Sequence, residues 1–139
     1  MNMEKNRRGD KIKEIELYII ELESVIPNNF ENYKDDFKIK AICERYFEKI
    51  IESVVDLAFI IIKEKRLKIP EDDESSFVIL NKENIIPLEL SKKLKEAKGM
   101  RNIIAHEYGE INNELIFESI KNELIKDVSE FIKYIKKQK

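Results

Sequence analysis

The sequence contains few of the residues that cross-link a small protein or interrupt its helices. Among 139 residues there is one cysteine, Cys43, which excludes an internal disulfide and indicates a reducing compartment. Three glycines and three prolines leave little sequence for long loops, so a helical protein is favoured. The longest apolar run, Ile50 to Ile62, is interrupted by three polar residues and is too short to span a bilayer. We expect one domain over residues 1–139 that stays in the cytoplasm.

Histidine is equally scarce, because His106 is the only one. One histidine and one cysteine cannot build a zinc centre, so metal ligands would have to be carboxylates. Glu52 and Asp56 lie four apart on one helical face but share that stripe with lysines. We therefore predict neither a metal nor another cofactor. The formal net charge of −2 argues against a protein that coats nucleic acid non-specifically, although it permits a small basic site.

The spacing of apolar residues predicts an all-α protein. The expected helices run from a cap at Asp10 to Pro27, from Tyr33–Asp36 towards Leu67, from Ser75 to Asn81, from Leu88 to about His106, and from a cap at Asn112 or Asn113 nearly to the C-terminus. These four main helices and one short helix should form an antiparallel up-and-down bundle. Gly99 lies inside a helix, where glycine is less favourable than alanine by about 1 kcal/mol. That position suggests close approach by another backbone.

The segment from Gly99 to Tyr108 carries the residues best suited to chemistry. At about 100° per residue, the residues on one helical face are Arg101, Asn102, His106 and Tyr108. The residues on the opposite face, which should anchor the helix in its bundle, are Met100, Ile103 and Ile104. A guanidinium suits phosphate, and an imidazole can exchange a proton near pH 7, so this set could cleave a phosphodiester. A lone histidine near a helix end is more often a surface or capping residue, and spacing alone leaves both interpretations open.

Asn102 follows Arg101 directly, and His106 and Tyr108 lie five and seven positions after the arginine. This arrangement resembles the signature of the HEPN superfamily. More closely, it is similar to the HepT-like ribonuclease toxins of two-gene modules whose partner is a minimal nucleotidyltransferase. Further segments that resemble this family are Ala41–Ile62 with Asp56, Pro70, Ser76–Leu80, Ile85–Pro87, Leu90 and Tyr108–Asn112. The resemblance implies a HEPN-like bundle and a metal-independent RNA endonuclease whose motif lies at a homodimer interface.

Each motif residue then has an expected role. His106 would act as general base or acid and Arg101 would stabilise the charge on the phosphorane. Asn102 would orient the imidazole or the phosphate, although it could equally hold a helix carbonyl. Tyr108 would contribute a hydrogen bond near the scissile group, and Asp56 would support the motif. Because each chain has one histidine, a twofold dimer would supply the second imidazole that acid and base catalysis require.

The resemblance also implies control by a partner. In modules of this type the nucleotidyltransferase antitoxin neutralises the toxin by adding AMP to a tyrosine near the motif, which makes Tyr108 the expected acceptor. Two alternatives remain at this point. One is a non-catalytic HEPN-like module that binds a nucleotidyltransferase or a nucleotide. The other is a plain helical dimerisation protein, which would leave the polar face unexplained.

Overall fold

The computed structural model describes the backbone of residues 3–106 and 112–139 and the side chains of residues 6–106 and 112–139. Its helices are α1 (Met3–Val25), α2 (Phe30–Lys34), α3 (Phe37–Glu64), α4 (Asp73–Lys82), α5 (Leu88–His106), α6 (Asn113–Ser119), a π-helical turn (Ile120–Leu124) and α7 (Ile125–Lys136). The last three follow one another directly and act as one long helix. Within the described ranges all regular secondary structure is helical, which confirms the predicted all-α fold.

Helices α1 and α3 pack against each other along most of their lengths in antiparallel orientation. At one end Arg8 forms an ion pair with Glu64, and further along Glu14 accepts a hydrogen bond of 3.1 Å from the hydroxyl of Ser53. Residue numbers therefore rise along one helix as they fall along the other. The apolar side chains that α1 buries are those the spacing predicted, namely Ile12, Ile15, Ile19 and Leu22.

The N-terminal part of the fold corrects two expectations. Asp10 does not cap α1, because the helix already begins at Met3. Arg8 holds these first turns on the bundle by its pair with Glu64 and by donating to the carbonyl of Gln138 at 2.6 Å. A second short helix, α2, was not predicted; its cap is the side chain of Asn29, which accepts from a backbone N–H within the helix at 2.9 Å.

Helix α3 is the centre of the bundle. Asp36 caps it by accepting from two backbone N–H groups of its first turn. Cys43 is fully buried, and burial raises the pKa of its thiol to about 11. The other apolar residues that α3 buries completely or nearly so are Phe47, Ile50, Ile51, Val54, Leu57, Ala58, Ile61 and Ile62.

Helix α5 begins and ends where the sequence predicted, and it packs against α3, α4 and α7. The cap predicted at Asn112 is also confirmed, since its side chain accepts from the backbone N–H of Leu115 at 3.0 Å. Gly99 is not closely approached from within its own chain: in the described part of the chain, no heavy atom outside its own local helix lies within 4 Å of where a Cβ would stand. An alanine would therefore fit here without a clash.

Candidate functional site

Packing of α5 determines which motif side chains face outward. Leu90, Leu94 and Ile104 are buried, and the hydroxyl of Ser91 donates to the carbonyl of Phe77 on α4 at 3.0 Å. These contacts fix both the position and the rotation of the helix.

The predicted apolar face is only partly correct, because Ile104 is 4% exposed whereas Ile103 is 44% exposed. The stripe that enters the core contains Leu90, Leu94 and Ile104, and at 100° per residue Ile103 stands well to one side of it. Ile103 therefore lies on the surface, next to the polar residues of the motif.

The guanidinium of Arg101 connects α5 to α3. Its Nη2 donates to Oε1 of Glu52, and its Nη1 lies 3.4 Å from Oδ1 of Asn102. Its Nε is buried and has no hydrogen-bond partner among the described residues. The carboxylate of Glu52 thus holds the guanidinium from one side, and each Nη keeps a second N–H that no described residue accepts.

The side chain of Asn102 is held by a second cation. Nζ of Lys98, one helical turn earlier, donates to Oδ1 of Asn102 at 2.7 Å. The same ammonium lies 3.4 Å from Oδ2 of Asp73 at the start of α4. Lys98 is only 8% exposed, so this lysine is part of the packed structure and not a solvated surface charge.

His106 is exposed in the last turn of α5. It lies five residues after Arg101, which corresponds to about 7.5 Å along a helix axis. Tyr108, the remaining motif residue, lies outside the described residues. The structure therefore places Arg101, Asn102 and His106 on one helix.

Asp56 lies one turn beyond Glu52 on α3 but interacts with α1. Its Oδ2 is 3.4 Å from Nζ of Lys11, and its side chain is 59% exposed. Lys11 also pairs with Glu14 at 3.1 Å. Although burial acts in the opposite direction, hydrogen bonds from Lys11 and Ser53 lower the pKa of Glu14.

The carboxylate that contacts Arg101 is that of Glu52. The structure therefore brings Glu52 to the motif, and not Asp56, which the sequence had indicated.

Sequence reasoning missed the roles of Lys98 and Asp73. The spacing of Lys98 and Asn102 by four residues was a usable signal, because side chains four apart meet on a helix surface. The contact with Asp73 had no comparable local signal.

Residues 6–106 and 112–139 contain no group of three or more His, Cys, Asp or Glu side chains arranged to hold a metal ion. In the same part of the chain no helix is both long and apolar enough to cross a membrane.

A helical bundle that carries arginine, asparagine and histidine in the last turns of one helix has the architecture of HEPN proteins, and the comparison with solved structures supports this class. The HEPN toxin of Shewanella oneidensis, solved in a tri-AMPylated form in complex with an MNT antitoxin, superposes with a TM-score of 0.89. The two chains are 28% identical, and the match covers 99% of this chain and 100% of that one.

Sequence comparisons identify the family. Residues 15–135 match the family described as "Ribonuclease HepT-like". The mRNA nuclease HepT of Shewanella oneidensis is 32% identical over 104 residues, which is 75% of this chain and 77% of that protein. The tRNA nuclease HepT of Aphanizomenon flos-aquae is 26% identical over 92 residues, or 66% of this chain and 63% of that protein. The chain belongs to the HepT-like ribonuclease family.

Proposed function

We propose that the chain is the toxin of a toxin–antitoxin module and that it cleaves RNA without a metal ion, using Arg101, Asn102, His106 and Tyr108. The observation that carries this proposal is the arrangement at the end of α5. There a partly buried guanidinium that Glu52 holds in place stands beside an amide, and a solvent-exposed imidazole follows on the same helix. The nuclease names of the two sequence relatives support RNA as the substrate.

The chemistry is attack of a ribose 2′-hydroxyl on the adjacent phosphorus. The new O–P bond forms as the bond to the departing 5′-oxygen breaks, which leaves a 2′,3′-cyclic phosphate and a 5′-hydroxyl. A base takes the proton from the 2′-hydroxyl and an acid supplies one to the leaving oxygen, and His106 is suited to either task. Arg101 balances the additional negative charge on the equatorial oxygens of the phosphorane.

A homodimer would complete this scheme. One histidine per chain cannot readily act as both acid and base in a single step, whereas two copies of α5 facing each other would supply two imidazoles and two guanidiniums. The exposed side chain of Ile103, next to Asn102, supports this face as the interface, since an apolar group there would be buried by a second copy.

Regulation by a nucleotidyltransferase antitoxin is the second part of the proposal. The related Shewanella toxin was solved as a tri-AMPylated protein in complex with an MNT antitoxin. We propose Tyr108 as the acceptor in this chain, with the module acting in the cytoplasm. An adenylyl group two residues after His106 would add bulk and negative charge to the motif, and we expect it to compete with the RNA phosphate.

The decisive experiment is RNA cleavage by the purified, unmodified protein in EDTA. We expect cleavage that yields cyclic phosphate ends, and a loss of about 10² to 10⁴-fold in rate for His106→Ala. Activity that disappears on chelation and returns with magnesium would contradict the metal-free mechanism. A folded but inactive wild-type protein would favour the non-catalytic HEPN-like module instead.

A further inference from the structure

We propose that Lys98 is a positioning residue that fixes the orientation of the Asn102 amide, so that Asn102 serves the reaction as a hydrogen-bond donor. This inference rests on the proposed function and assigns a direction to one of its hydrogen bonds. It also adds two residues outside the motif to those that position its side chains, namely Lys98 and its partner Asp73 on a neighbouring helix.

The orientation follows from the chemistry of the neighbours. Oδ1 of Asn102 accepts from Nζ of Lys98 at 2.7 Å and lies 3.4 Å from Nη1 of Arg101. Ammonium and guanidinium groups are donors only, so neither can face the NH₂ end of an amide favourably. The oxygen must therefore point towards the two cations. The NH₂ group projects in the other direction, and it can only donate.

The position of Lys98 is itself fixed. Its side chain is 10% exposed, and Oδ2 of Asp73 stands 3.4 Å from its ammonium. A buried ammonium is stable only when it is paired and hydrogen-bonded, which Asp73 and Asn102 together provide. Because Asp73 lies at the start of α4, the packing of α4 against α5 determines where Lys98 stands, and Lys98 in turn determines the rotamer of Asn102.

This arrangement gives Lys98 and Asn102 different tasks. The ammonium is buried and already engaged, so it acts through Asn102 and does not bind RNA itself. The amide nitrogen is left to donate to a non-bridging phosphate oxygen, and the positive charge behind the amide strengthens it as a donor. Asn102 therefore orients the phosphate and does not accept a hydrogen bond from the imidazole.

The first test replaces Asn102 by aspartate. Asn102→Asp keeps an acceptor for Lys98 and Arg101, and even strengthens it, but removes the NH₂ donor. We expect RNA cleavage in EDTA to fall at least about 10-fold, to the level of Asn102→Ala, while the midpoint of thermal unfolding is kept. Cleavage at the wild-type rate by Asn102→Asp would overturn the proposal, because Asn102 would then serve only as an acceptor for the two cations.

The second test is a double-mutant cycle. Lys98→Met retains the buried stem and removes the ammonium, and Lys13→Met, an exposed lysine on α1, is the matched control. We expect Lys98→Met to lower kcat about 10-fold and Lys13→Met to leave it unchanged. If Lys98 acts through Asn102, adding Lys98→Met to Asn102→Ala lowers kcat no further. Fully additive losses would show that Lys98 acts independently and would overturn the proposal.

A readout that does not depend on cleavage separates this inference from the proposed function. In ¹H–¹⁵N spectra, titration with a non-cleavable 2′-O-methyl RNA oligonucleotide should shift the side-chain NH₂ signals of Asn102 in the wild type. The shift should be lost in Lys98→Met and kept in Lys13→Met. A protein that shows these shifts but cleaves no RNA contradicts the nuclease proposal alone. NH₂ signals that never respond to the oligonucleotide contradict the role given to Asn102.

Discussion

The ion pair between Glu52 and Arg101 is the contact whose removal should separate activity from stability most clearly. In Glu52→Ala the guanidinium loses the acceptor that holds it from α3 and, among the described residues, keeps its neighbour Asn102. The two side chains of the pair are 44% and 21% exposed, which is the range in which ion pairs contribute about 0.2 to 1 kcal/mol. The free energy of unfolding should therefore decrease by no more than about 1 kcal/mol.

The effect on catalysis should be much larger. A guanidinium that is misplaced by about 1 Å can lower a rate by about 10²-fold. We expect Glu52→Ala to reduce kcat by about 10 to 100-fold. KM for RNA should not rise, because removal of a carboxylate beside the phosphate site also removes a repulsive charge. Glu52→Gln keeps an oxygen acceptor of the same length and should retain most of the activity.

The assay is cleavage of a fluorophore-quencher RNA oligonucleotide in EDTA, with urea unfolding of each variant monitored by circular dichroism. Glu52→Gln serves as the conservative control. The reasoning is refuted if Glu52→Ala is as active as the wild type. It is also refuted if kcat is unchanged and KM rises, since Glu52 would then contribute to binding and not to positioning.

Three further predictions concern the rest of the fold. Asp36→Ala removes the acceptor for the backbone N–H groups of Lys38 and Ile39, at 3.0 and 3.2 Å, and should lower the free energy of unfolding by about 0.5 to 2 kcal/mol in urea, whereas Asp36→Ser should restore most of it. Burial raises the pKa of Asp127 above 3.8, so the folded state binds the carboxyl proton more tightly than the unfolded state does. The free energy of unfolding therefore decreases as the pH rises from the pKa of the unfolded state to that of the folded state. Asp127→Asn should therefore raise the midpoint of thermal unfolding at pH 7, and this gain should disappear below about pH 4; a midpoint that does not change at pH 7 would contradict it. Cys43, with a thiol pKa of about 11 and no exposure, should react with a thiol reagent at pH 8 only at the rate of unfolding, and rapid labelling of the native protein would refute its burial.

Local sequence patterns were sufficient for much of the fold. The stripe at Ile12, Ile15, Ile19 and Leu22 and the bounds of α5 follow from periodicity and turn signals that extend over only a few residues. The cap at Asn112 is local in the same sense. The helical face that carries Arg101, Asn102 and His106 also depends only on positions along one helix. Local patterns did not reveal the early start of α1 or the short helix α2.

Only the tertiary structure decided which partners the motif acquires. Glu52 and Asp56 lie four residues apart on one helix, yet the packing of three helices directs Glu52 to Arg101 and Asp56 to Lys11. Arg101 and Glu52 are 49 positions apart, and such a contact depends on how whole helices rotate and pack. The exposure of Ile103 has the same origin. A periodic pattern predicts that a helix has a buried face. How far that buried face extends around the helix is determined only by the surfaces that cover it.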